Sequence, residues 1–342
     1  MRWLLPVGFA MLALAVLLGI SGERTTPGVV NVYSARHYDT DDALYARFTE
    51  LTGIRVNIIE GKSDELLARL RHEGALSPAD LFIAVDAGRL HRAERRGLFQ
   101  SVKSSVLDER VPASLRHPEG LWFGLTKRAR IIVASVDRLP DTTSLDYADL
   151  ATPGWKGRVL VRSSSNIYNQ SMVSAMIATL GPERTEAWCN GIARNLARRP
   201  QGGDTDQIRA VAAGEGDVAL VNHYYYARLL AGSEADRAVA ERVRVIFPDQ
   251  AGRGTHVNIS GAGVMRHAPN RDNAVALLEF LAGDEAQRTL AAGNQEYPVV
   301  EGVATTGLLA RLGTFKAETV DAVQLGANNP QAVRIMDRAG WR

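Results

Sequence analysis

The chain has 342 residues, 46% of them hydrophobic, with 40 basic against 38 acidic side chains and a formal charge of +2. That size and apolar content support one large core or two ordinary ones. The even mixing of charge, with no basic block, implies no nucleic-acid partner. The single cysteine, Cys189, excludes an intrachain disulfide and any cysteine-built zinc or iron–sulfur centre.

Met1 and Arg2 precede an uncharged apolar run from Trp3 to Ile20, then Ser21 and Gly22. This reads as a secretory signal peptide over residues 1–25. The alternative is an uncleaved membrane anchor, because the run approaches bilayer-spanning length. No cysteine follows it to carry a lipid. The rest of the chain is therefore expected in the periplasm.

Strand and helix then alternate. "GVVNVY" (28–33) is a strand, and "DTDDALYARFTELTG" a helix with Leu44, Phe48 and Leu51 at helical spacing and Gly53 as its stop. "IRVNII" (54–59) returns to strand. "SDELLARLRHEG" is a helix with Ser63 as N-cap and Gly74 as terminator. "ADLFIAV" (79–85) and "DAGRLHRAERRG" (86–97) repeat the unit. A second set runs through "RARIIVASV" (128–136), "GRVLVR" (157–162), a helix from about Asn169 to Leu180, "GDVALVN" (216–222) and "RVRVIFP" (242–248). "GTHVNISGAGVMRHAP" (254–269) returns to the first set, and "NAVALLEFLAG" and "PQAVRIMDRAGW" close the chain as helices. Such alternation predicts mostly parallel sheets covered on both faces. Two extended crossings, near 126–132 and 248–258, predict two α/β lobes joined by a strand hinge.

Enzyme signatures are missing: there is no Gly-x-Gly-x-x-Gly after a strand, no P-loop, no His-Glu-x-x-His and no Gly-x-Ser-x-Gly. His91 and Glu94 read as a solvated pair. Cys189 reads as filling a helix face beside Trp188, and His256 and His267 as bonding locally. Three other stretches share one chemistry. "YSARHYDT" (33–40), "RSSSNIYNQS" (162–171) and "VNHYYYAR" (221–228) each follow a strand, where open α/β sheets bind ligands. Together they carry His37, Tyr38, Tyr168 and three consecutive tyrosines. Ionising a phenol at neutral pH costs about 4 kcal/mol, which a hard, highly charged Lewis acid recovers. Ferric iron has that character, whereas zinc favours Cys and His and calcium favours carboxylates. Arg130, at the first crossing, is placed to balance the net negative charge of such a site.

The stretches "VNVYSARHYDTDDALYARFTELTGIRVNIIEG", "SPADLFIAVDAGRLHRAERRGLFQ", "PEGLWFGLTKRARII", "SSSNIYNQS", "VNHYY" and "GANNPQAVRIMDRAGW" resemble periplasmic ferric-iron-binding proteins, the substrate-binding components of bacterial iron ABC importers. The resemblance runs from about Gly28 to Arg342. It implies a two-lobed, class II binding-protein fold, with lobe 1 from 28–126 plus 256–305 and lobe 2 from 127–255 plus 306–342. It implies ferric iron held by His37 and Tyr38 from one lobe and by Tyr168, Tyr224 and Tyr225 from the other, with Arg130 near the metal and Tyr226 packing behind. The implied partners are an inner-membrane permease and its ATPase, and the implied role is delivery by a monomer rather than catalysis. Some family members place a carboxylate where this chain has Val85, before Asp86, and recruit an exogenous anion. The tyrosine-rich pattern here counts against a bound carbonate. The rival reading is a small organic or phosphate-bearing solute, held by Arg130 and the serines at 163–165.

Overall fold

The computed structural model describes residues 28–36 and 38–342. The signal-peptide reading and the candidate ligand His37 lie outside these residues. The strands are β1 (Val29–Ser34), β2 (Arg55–Glu60), β3 (Leu81–Ala84), β4 (Phe123–Ser135), β5 (Val159–Leu160), β6 (Val218–Asn222), β7 (Val243–Ile246), β8 (Val257–Val264) and β9 (Tyr297–Pro298). Their order is β2-β1-β3-β8-β4-β6-β5, with β7 and β9 also pairing with β4.

The outer ladders, β1 with β2 and β3 and β5 with β6, are parallel. Helices Asp39–Thr52 and Ser63–Glu73 make the crossovers on the β1 side. β3 and β6 are buried at every position, as expected of strands covered on both faces. The strands that join the lobes pair antiparallel. β4 pairs with β8 from Phe123 to Ala129, then with β6 from Arg130 to Ala134. Its 13 residues reach roughly 43 Å, so one strand belongs to both lobes. The return crossing lies beside it, where Arg130 N donates to His256 O at 2.9 Å.

A third connection went unforeseen. Thr255 bridges to Ala317, and Gly254 sits at φ +95° against that segment, where a Cβ would come within 2.7 Å of backbone. Only glycine takes that approach without strain. Lys316–Glu318 contributes an isolated bridge instead of a ladder, so it leaves no strand pattern to read.

Each lobe has its own core. Val32, Phe48, Leu67, Phe82 and Leu277 centre one, and Val173, Trp188, Cys189, Leu220 and Trp341 another. A further layer around Ile131, Ile208 and Val221 covers the other face of β4 and β6. Burial, the dominant effect, pushes the Cys189 thiol up to about 12, which leaves it unreactive. Leu51, expected on the apolar face of its helix, is exposed, and the buried stripe is Leu44, Tyr45 and Phe48. Ser63 is the first residue of its helix, and Lys62 takes the cap position. The last helix, Asn329–Arg338, buries Ala332, Ile335 and Met336 in the second core. Just after it, Trp341 donates to Arg162 O at 2.9 Å, fixing the loop that leads to Tyr168.

Candidate metal centre

Three loops that follow strands bring four tyrosines together. Tyr38 follows β1 and holds an extended backbone (φ −134°, ψ 116°) at the entry to helix Asp39–Thr52. Its hydroxyl donates to Glu296 Oε1 at 3.3 Å, and the Arg36 guanidinium lies 4.5 Å from its ring centre. Tyr168 opens helix Ile167–Leu180, whose cap Asn166 accepts the Tyr168 backbone N–H at 3.1 Å. Tyr224 and Tyr225 open helix His223–Ala231 directly after β6, with ring centres 4.3 Å apart. Tyr224 Oη donates to Tyr168 Oη at 3.4 Å. Arg228, one turn further on, lies 4.9 Å from the Tyr38 ring, 4.9 Å from Tyr224 and 6.0 Å from Tyr225. One guanidinium thus spans phenols from both lobes.

The surroundings oppose ionisation of Tyr38, Tyr224 and Tyr225. Burial, then Glu296, pushes Tyr38 up to about 12, against the pull of Arg36, Arg128 and Arg228. Burial, then Tyr168 and Asp204, pushes Tyr225 up to about 12. Burial, then Tyr168, Tyr225 and Tyr38, also raises Tyr224 well above its ordinary value, a second phenolate so close being repelled. Burial works against the Arg128 charge, but Glu296, Tyr224, Tyr168 and Tyr38 outweigh it and raise its pKa. Arg128 Nε and Nη1 are buried without a hydrogen-bond partner, with Glu296 Oε1 3.9 Å from Nε, and a closer anionic acceptor would lower that cost. Among the described residues no group of three or more His, Cys, Asp or Glu side chains is placed to hold a metal. The oxygens gathered here are phenols, whose anions are donors suited to a hard trivalent ion.

The chain matches the family model described as "Bacterial extracellular solute-binding protein" over residues 77–312. It belongs to that family. Iron uptake protein A1 of Synechocystis is 51% identical over 321 residues, covering 93% of this chain and 89% of that protein. Iron uptake protein A2 of the same organism is 48% identical over 338 residues, covering 98% and 96%. A Trichodesmium protein solved in complex with iron and citrate superposes with a TM-score of 0.90 at 51% identity, over 92% of this chain and all of that one. A ferric-iron-binding protein of Mannheimia haemolytica in an open conformation gives 0.87 at 41%, over 92% and 99%. The resemblance and the two-lobed fold read from the sequence are both borne out.

Within this solute-binding protein, Arg130 does not point its charge at the phenols. Its Nη1 donates to Asp204 at 3.0 Å and Asn222 at 3.2 Å, and its Nη2 to Asn169 at 2.6 Å. Asp204 also accepts the Asn222 backbone N–H at 3.0 Å. Arg130 therefore braces the end of β6, which leads directly into the helix carrying Tyr224, and the start of helix Ile167–Leu180, which carries Tyr168. The guanidinium facing the phenols from β4 is that of Arg128, two residues earlier on the same face of the strand. Arg162, 5.5 Å from the Tyr168 ring, and Arg228 join it. Only Arg228 left a signal in the sequence, four residues after Tyr224 on one helix face.

Tyr226 packs against the layer under β6, as expected. Asp86, the residue after Val85, is fully buried and accepts from Gly88 N, Ser171 Oγ and Asn258 Nδ2 at 2.7–2.8 Å. It ties β3 to the Tyr168 helix and to β8, and both of its oxygens are engaged in these bonds. His91 and Glu94, expected in solvent, are half-buried, with Glu94 accepting from Trp122 Nε1 at 3.1 Å. His256 pairs with Glu318 across the hinge.

Proposed function

We propose that this protein binds ferric iron between its lobes in the periplasm and delivers it to an inner-membrane ABC permease driven by its ATPase. Tyr38, Tyr168, Tyr224 and Tyr225 supply phenolate oxygens, and His37 adds a nitrogen on the strength of the sequence resemblance alone. The observation that carries the proposal is the convergence of four phenols on one space, with Tyr168 and Tyr224 oxygens 3.4 Å apart. Relatives named as iron uptake and ferric-iron-binding proteins support it. Four phenolates on a trivalent ion leave one negative charge by addition, which Arg128, Arg162 and Arg228 offset without an added anion. Iron contacts both lobes, and so favours the closed arrangement by its differential affinity. Catalysis has no role in this cycle.

The test is a visible titration of residues 28–342 with ferric citrate. A saturable charge-transfer band at one iron per chain is expected, lost in the Tyr224→Phe/Tyr225→Phe double variant while the far-ultraviolet circular dichroism holds. A folded protein that gives no band sinks the proposal.

A further inference from the structure

Charge is evenly mixed along the sequence, but the fold concentrates it at one end of lobe 1. Arg71 and His72 end the helix Ser63–Glu73, Arg96 follows the helix Ala87–Arg95, and Arg266 and His267 follow β8. All but His72 line a groove of about 250 Å³, and His72 joins Arg71 and Arg96 in the adjoining hollow. The five side chains are exposed. The ion pairs among the described residues leave out Arg71, Arg96 and Arg266, while neighbouring Arg69 and Arg92 are paired with Glu73 and Asp64.

Beside these cations stands Leu76, 92% exposed, against 54% and 42% for the other exposed large hydrophobics, Leu51 and Val106. Leu76 ends the single turn Gly74–Leu76, entered through Gly74 at φ +57°. That turn is fixed on both sides. Ser77 Oγ donates to Glu73 at 2.6 Å, and Asn31 Nδ2 donates to Pro78 O at 2.9 Å. The leucine is thus held out in water by a pinned backbone, where it forgoes the stabilisation that burial would give.

The patch lies where the chain enters the fold. Asn31 contacts Pro78 and Asp80, Asn270 N donates to Asp80 at 2.6 Å, and Asn273 Nδ2 donates to Val29 O at 2.8 Å. Gly28 follows the apolar run that ends at Ile20 by eight residues, a reach of at most about 29 Å. This is also the end of β1 and β3 opposite the loops that carry Tyr38 and Asp86, so the cleft stays free.

We infer that this end of lobe 1 is a docking surface for an anionic bilayer, with Leu76 entering the headgroup–acyl boundary and Arg71, Arg96 and Arg266 on lipid phosphates. A lone protruding leucine whose chain neighbours Gly74, Ala75 and Ser77 line a cationic groove suits that boundary. The inference stands apart from iron binding and goes beyond it.

The test is co-sedimentation of residues 28–342, which hold every strand and helix described and correspond to the whole of a solved relative. The probes are vesicles of phosphatidylcholine alone or mixed with phosphatidylglycerol. Binding is expected only with phosphatidylglycerol, is lost near 0.5 M salt as screening shortens to a few ångströms (about 4 Å), and weakens roughly fivefold or more in Arg71→Glu and in Leu76→Asp. Both variants keep the ferric titration of the parent. Equal binding to the two vesicle types, absence of binding to either, or full retention by Leu76→Asp overturns the inference.

Discussion

The hydroxyls of Tyr168 and Tyr224 lie 3.4 Å apart although the residues are 56 positions apart in the chain. Two phenolates cannot share that distance without a cation, and burial raises the Tyr224 pKa further. Iron uptake must therefore displace protons. With Tyr38 and Tyr225 both pushed up to about 12, every phenol that binds releases one proton at neutral pH. Ferric affinity is expected to fall as pH drops, by roughly tenfold per pH unit for each proton released. Competition against a chelator of known pH dependence, between about pH 5 and pH 8, measures the slope. A flat profile would remove phenolate coordination.

Arg228 reaches phenols of both lobes from an exposed position, so its contribution is partly screened. Replacing it with Ala is expected to weaken ferric binding about fivefold, corresponding to roughly 1 kcal/mol, and more at low salt than at high salt. Arg228→Lys recovers charge without the planar stack and should fall between. An affinity equal to the parent at every ionic strength would mean that this guanidinium only packs on the rings.

The convergence of the tyrosines was legible because each lies beyond the carboxyl end of a strand, in a loop or the first turn of the following helix, a position that topology alone marks for ligands. The choice between Arg128 and Arg130 was not. They are two apart on one strand and share a face, so no periodicity separates them. Asp204 and Asn169 decide it, brought to Arg130 from 74 and 39 residues away. Glu296 was likewise silent. It sits in "NQEYP" with no pattern around it, and acquires meaning only through Arg36, 260 residues distant.

That distinction between the two arginines has a measurable consequence. Arg130 is buried against Asp204, itself fully buried. Arg130→Met removes the nearer cation from a buried carboxylate, leaving it Arg162 at 3.8 Å, and is expected to cost about 3 kcal/mol of folding stability, seen as a lower urea midpoint. Arg128→Met removes a cation that lacks hydrogen-bond partners on two nitrogens and stands 3.9 Å from Glu296, and should show chiefly as weaker ferric binding. If the two variants exchanged these phenotypes, the assignment of brace and charge partner would be reversed.

Glu296 sets an acid limit on the same region. It is fully buried, bonded to Arg36 at 2.6 Å and to Thr126 at 2.6 Å, with Arg128 at 3.9 Å. Burial opposes its charge, but Arg36 and Arg128 outweigh this and hold its carboxyl at about 2. A depressed carboxyl stabilises the fold above its unfolded value near 4.3 and loses that contribution as pH falls towards 2. The expected loss is about 3 kcal/mol across that window. Glu296→Gln should flatten this segment of the stability curve while lowering stability at neutral pH, because Arg36 then keeps only Asp41 as its ion partner among the described residues. Urea melts of both proteins at about pH 7 and about pH 3 give the comparison. An equal acid sensitivity in the two would place the acid-labile group elsewhere.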